Sequence, residues 1–216
     1  MRPKIKICGI RTLAAAQAAI NDSADFLGFI HFAKSPRHLS LDDMAALMKV
    51  IRGTGAQLPL VSVVVDPDDT LLDALRDRVR PDFIQLHGKE TPERVAEIAA
   101  LTGLPLIKAL SVGEAADLYA AEAYEPYISY LMFDAKPPKD AALPGGLGLR
   151  FDWTLMQGYL GTKPWFLAGG LDATNAREAI ELSGAALLDV SSGVESTPGE
   201  KDAGLISGFL RTAKAI

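Results

Sequence analysis

Eight short apolar runs recur along the chain, each followed by a stretch in which apolar positions return with helical spacing. The runs are Lys4–Cys8, Asp25–Ile30, Leu58–Asp66, Asp82–His87, Leu104–Leu110, Ile128–Asp134, Pro164–Gly170 and Ala186–Ser192. The intervening spacing predicts helices over Leu13–Asn21, Leu41–Arg52, Asp69–Val79, Pro92–Leu101, Glu114–Ala123, Asp152–Leu160, Asn175–Leu182 and Ala203–Lys214. A strand, a crossover helix and another strand make a parallel sheet covered by helices, because parallel neighbours cannot be joined by a tight hairpin. Eight such units predict an α/β fold, a single (β/α)8 TIM barrel over residues 1–216 with compact loops. An open doubly wound sheet satisfies the same alternation, but "CGIRTL" after the first run is not the GxGxxG of that fold.

Two loops stand out. The longest, Ala135–Phe151, follows the sixth strand and carries Pro137, Pro138, Gly145, Gly146 and Gly148, the composition of a functional lid or a disordered segment. The second, His31–Ser40, is shorter and basic. In a barrel both lie on the C-terminal face, where active sites of this fold form.

Composition narrows the partners. A net charge of −5 and a pI near 5.2 leave no surplus of Lys and Arg to neutralise nucleic-acid phosphates or an anionic membrane. A single cysteine excludes an internal disulfide, no secretory leader is visible, and no apolar run approaches the roughly 18 residues of a membrane span. The expectation is a cytoplasmic protein, monomer or homodimer, with a small-molecule partner and neither nucleic acid nor membrane.

Polar and reactive residues gather at the carboxyl ends of the predicted strands, whereas the opposite ends begin with turn residues. In the first strand, side-chain alternation puts Lys4, Lys6 and Cys8 on one face and Ile5 and Ile7 on the other. If the isoleucines pack outward, Lys6 and Cys8 point into the barrel, and the lysine is expected to lower the thiol pKa from about 8.5. The competing reading is an inert buried cysteine. Asp134 closes a strongly apolar run and shares parity with Met132 and Tyr130, so a rim carboxyl able to carry a proton is expected there. Asp66 reads as turn and helix cap instead.

For anions, Gly169 and Gly170 in "LAGGLDATN" and Ser191, Ser192 and Gly193 in "LDVSSGVESTPG" offer backbone and hydroxyl donors. They follow strands seven and eight, the usual phosphate site of this barrel. Arg37, stiffened by Pro36, suits a carboxylate; His87 suits substrate binding, with His31 and His38 weaker candidates. Three scattered histidines, without HExxH or paired cysteines, present no metal set.

These stretches together, from "KICGIRT" through "ADFLGFIHFAKSPRHLS", "FIQLHG", "MFDAKPP", "PGGLG" and "FLAGGLDATN" to "LDVSSGVESTPGEKD", resemble the phosphoribosylanthranilate isomerase family of tryptophan biosynthesis. The resemblance runs in order from Lys4 to about Asp202. It implies a cofactor-free Amadori rearrangement of a phosphorylated aminosugar, with Cys8 as general base and Asp134 as general acid. It further implies that Arg37 holds the anthranilate carboxylate, that Gly170, Ser191 and Ser192 belong to the phosphate site, and that His87 and Asp189 lie near the substrate. One position departs from the family: Leu147 stands where the strand-six loop commonly has Thr, which removes a hydroxyl contact from that loop. The related aminoaldose isomerase of histidine biosynthesis is a rival reading, but it uses aspartate where Cys8 stands. A catalytically silent phosphosugar-binding barrel would need neither Cys8 nor Asp134.

Overall fold

The computed structural model describes residues 2–138, 141 and 143–215. Each apolar run becomes a strand: β1 (Lys4–Cys8), β2 (Phe26–Ile30), β3 (Leu60–Val64), β4 (Phe83–Leu86), β5 (Leu106–Val112), β6 (Tyr130–Ala135), β7 (Trp165–Leu167) and β8 (Leu187–Val190). They pair in chain order, all parallel, and β8 returns to pair with β1, so the sheet closes into a barrel. That last pairing excludes the open doubly wound sheet. Its register sets Lys6 beside Asp189, while the β1–β2 register sets Cys8 beside Gly28.

Alternation along the strands divides the core in two. Ile5, Ile7, Leu27, Phe29, Ile84, Leu86, Leu131 and Phe133 are buried in the layer between sheet and helices. Cys8, Phe26, Val61, Val63, Ile107, Met132, Phe166 and Leu187 fill the barrel itself. Phe26, Phe83, Tyr130 and Phe166 plug the N-terminal end of the barrel, with ring centroids 5.3 Å apart for Phe26–Phe166 and 6.0 Å for Phe26–Phe83, mostly edge to face. Polar groups are left to the other end.

The outer helices are α1 (Leu13–Asn21), α2 (Leu41–Gly53), α3 (Asp69–Ala74), α4 (Pro92–Thr102), α5 (Ala176–Ser183) and α6 (Ala203–Lys214). Thr12, Ser40, Asp68, Thr91 and Asp202 cap the N-termini, each side chain accepting from an N–H three residues on. The cap of α3 is thus Asp68, and Asp66 instead accepts from the Lys89 N–H at 2.6 Å, tying the loops after β3 and β4 together.

Three predicted helices differ in form. The third winds wider over Leu75–Val79 and stops at Arg80, whose φ of 54° ends the turn. The fifth and sixth are 3₁₀ segments, Ala115–Tyr127 and Trp153–Gly158. In the fifth, the buried residues Leu118 and Ala121 lie three apart, matching three residues per turn, and Pro126 lacks the N–H an α-helical continuation needs. After β8 the expected loop contains a hairpin, β9 (Glu195–Thr197) with antiparallel β10 (Glu200–Lys201), turned through Pro198 and Gly199, the latter at φ 88°. Within the strand-six loop, residues 139, 140 and 142 lie outside the described residues; from Leu143 to Asp152 the chain is neither helix nor strand.

Candidate active site

The strand ends converge on one cavity at the C-terminal mouth. Cys8, Arg37, His87, Asp134, Gly169, Gly170, Asp189, Ser191 and Ser192 all line it, and Leu143–Leu149 fold across it. Gly193 does not; an added Cβ there would lie 1.9 Å from the Leu171 carbonyl oxygen, so this glycine serves close packing of two loops.

Cys8 and Lys6 point inward as their parity requires, and Lys6 is wholly buried. Its ammonium donates to Asp189 Oδ1 at 2.8 Å. Lys6 Nζ and Cys8 Sγ meet over Gly28: a Cβ on that glycine would lie 2.9 Å from each. The expected lowering of the thiol pKa is not found. Burial pushes the Cys8 thiol up, Lys6 only partly offsets this, and the Asp189 charge adds to the rise. Lys6 itself is shifted up: burial opposes its charge, but Asp189 and Cys8 outweigh burial. The thiol therefore rests protonated above a closed ammonium–carboxylate pair.

Across the mouth, Asp134 is buried on β6. Its Oδ1 accepts from the Ala135 N–H at 2.8 Å, and its Oδ2 faces His87 Nε2 at 3.3 Å. The other imidazole nitrogen of His87 lies 3.0 Å from Gln85 Nε2, which fixes the ring from below. Gln85 shares inward parity with His87 in "IQLH", the signal by which sequence reading could have found it. Gly145 fits against this pair, since a Cβ there would approach Asp134 Oδ2 to 2.5 Å and His87 Nε2 to 2.6 Å.

Arg37 is buried, held bidentately by Glu195 through Nε at 2.7 Å and Nη2 at 2.8 Å. Glu195 and Lys201, both on the hairpin, escaped sequence reading; "VESTPGEK" does hold a Pro-Gly turn signal between them. Among the anion candidates, Gly169 and Gly170 have φ of 89° and 62°, which favour glycine. Ser191 Oγ is committed to the Cys8 carbonyl at 3.1 Å, whereas Ser192 borders the cavity beside Gly148. Leu147 contributes apolar surface to the covering loop.

A family model described as N-(5'phosphoribosyl)anthranilate (PRA) isomerase matches residues 5–212. The chain belongs to this family. The PRA isomerase of Caulobacter vibrioides is 52% identical over 209 residues, covering 97% of this chain and 94% of its own. The crystal structure of the Thermotoga maritima PRA isomerase superposes with a TM-score of 0.85 at 30% identity, covering 99% of this chain and 100% of that one. A second PRA isomerase crystal structure, in complex with reduced 1-(o-carboxyphenylamino)-1-deoxyribulose 5-phosphate, gives a TM-score of 0.82 at 29% identity, covering 99% and 100%.

Proposed function

We propose that this member of the PRA isomerase family converts N-(5-phosphoribosyl)anthranilate to 1-(2-carboxyphenylamino)-1-deoxyribulose 5-phosphate in tryptophan biosynthesis, with Asp134 as general acid and Cys8 as general base. The observation that carries the roles is the convergence of the Asp134 carboxyl, from β6, and the Cys8 thiol, from β1, on a single loop-covered cavity, where the other carboxyl, Asp189, is already paired with Lys6. Asp134 gives a proton to the furanose oxygen; the C1–O bond breaks as the nitrogen lone pair forms a protonated imine. Cys8, which rests as the thiol, gives up its own proton to solvent at the cavity mouth as this cation forms; the thiolate then takes the proton from C2, and that C–H electron pair forms the C1–C2 double bond and neutralises the nitrogen. The resulting enolamine tautomerises to the ketone, so atoms and electrons balance without a redox partner.

The charges around Cys8 order these steps. Because burial holds the thiol up and Lys6 is already paired with Asp189, a thiolate would leave the buried cluster one charge negative. The cation created by ring opening supplies the missing positive charge. Acid catalysis thus prepares the base. Around the reacting carbons, Arg37 receives the aromatic carboxylate, Gly169, Gly170, Ser191 and Ser192 serve the phosphate, and His87 and Asp189 flank the sugar.

Cys8→Ala and Asp134→Asn test the roles with synthesised phosphoribosylanthranilate, followed by loss of its fluorescence. Each variant should lose at least about 10²–10⁴ in kcat while still binding the reduced product analogue. Near-normal turnover in Cys8→Ala removes it as the base; a pH profile of kcat unchanged in Asp134→Asn removes it as the acid.

A further inference from the structure

Glu195 and Lys201 sit on the β9–β10 hairpin, outside the groups assigned above to touch substrate. The Glu195 carboxylate, 3% exposed, accepts from four donors: Arg37 Nε at 2.7 Å, Arg37 Nη2 at 2.8 Å, Lys201 Nζ at 2.6 Å and the Gly199 N–H at 3.2 Å. Lys201, equally buried, also donates to the carbonyl and hydroxyl of Ser191 at 2.9 Å and 3.3 Å, and that hydroxyl donates to the Cys8 carbonyl at 3.1 Å.

This network has two physical consequences. The clamp occupies one edge of the guanidinium and leaves Nη1 turned toward the covering loop, where a Cβ on Gly146 would come within 2.8 Å of it. Among the described residues Nη1 has no hydrogen-bond partner, and a side chain at Gly146 would crowd it. Second, the cluster holds two cations and one anion, and among the described residues no second carboxylate lies within ion-pair distance of Arg37 or Lys201. One positive charge remains for an incoming anion.

We infer that Glu195 and Lys201 are positioning residues for recognition of the substrate's aromatic carboxylate: Glu195 orients Arg37 so that its free Nη1 edge meets that group, and Lys201 secures Glu195 and leaves the cluster one charge positive. The inference rests on the role proposed for Arg37. A hydrogen-bonded path then joins the carboxylate-binding arginine to the backbone of Cys8 through Glu195, Lys201 and Ser191, so seating the aromatic ring and placing the base are parts of one network.

The test is the preference for N-(5-phosphoribosyl)anthranilate over N-(5-phosphoribosyl)aniline, the same aminosugar without the carboxylate, measured as a ratio of kcat/KM by chromatography of the products. Glu195→Gln should lower this preference about tenfold, mainly through KM for the carboxylated substrate. It does not simply add positive charge, because burial already pulls the Lys201 ammonium below its ordinary range and removal of its counter-ion favours the neutral amine. Lys201→Met, the companion variant should Glu195→Gln not fold, should lower the preference in the same direction. Arg37→Ala separates the two levels: if it leaves the preference intact, the carboxylate role of Arg37 falls and the inference with it. If Arg37→Ala lowers the preference but the hairpin variants reduce both substrates equally, or neither, the inference alone is overturned.

Discussion

Lys6 faces two masters, a carboxylate from the last strand and a thiol two residues along its own, and the outcome is a protonated cysteine at rest. The free enzyme should therefore be slow to alkylate. With iodoacetamide, the pH midpoint of Cys8 modification is expected above the ordinary thiol value of about 8.5. Lys6→Met should move it higher still, because the lysine holds the thiol pKa down and an unpaired Asp189 would push it up. A midpoint unchanged or lowered in that variant contradicts the coupling. Gly28 gives a steric counterpart: Gly28→Ala drives a methyl between Nζ and Sγ, so kcat should fall at least about tenfold and stability by roughly 1–3 kcal/mol, checked by steady-state kinetics and urea melts. Side-chain parity in "KIKIC" was enough to read Lys6 and Cys8 as barrel-facing neighbours. It could not reveal the direction of the thiol shift, which depends on Asp189, a residue brought alongside only by the β1–β8 register.

Among the elements, the strand-six loop and the hairpin do the covering and the clamping. Leu143–Leu149 line the mouth of the cavity, which places them over any bound aminosugar phosphate. Closure of that loop over bound substrate is expected to limit turnover. Adding viscogen is expected to lower kcat in proportion to solvent viscosity, whereas a slow-substrate control such as the Asp134→Asn variant should be insensitive. Prolines and glycines marked this loop as either a lid or a disordered segment, and its described part, Leu143–Leu149, lines the cavity. The strands were legible too, since their apolar runs are bounded by turn residues, and so were most helices. What escaped was form rather than place: the Ala115–Tyr127 segment keeps a three-residue stripe that a helical-period reading counts as α, and the hairpin is too short, three residues against two, for any alternation to register. With the hairpin unseen, its two buried charges could not be assigned either.

Across the whole molecule, stability and chemistry occupy opposite ends of the barrel. The aromatic plug of Phe26, Phe83, Tyr130 and Phe166 lies at the N-terminal end, and the reactive groups at the other. Phe166→Ala should cost about 3–5 kcal/mol in urea unfolding yet leave kcat of the folded fraction within about threefold; a collapse of kcat without loss of stability would show the two ends to be coupled. The division was readable in outline, because reactive residue types cluster at strand C-termini along the entire chain, but only closure of the sheet turns that list into a site. Closure also has a consequence for the newborn protein. Lys6 and Asp189 are separated by 183 residues, so at about 5–20 residues per second a ribosome releases the first many seconds before the second. Until then the nascent chain carries a lysine destined for the interior with no counter-ion to receive it, which disfavours early burial of β1. Activity should consequently arise in one step late in synthesis, and a chain halted before β8 should be both inert and an attractive client for chaperones.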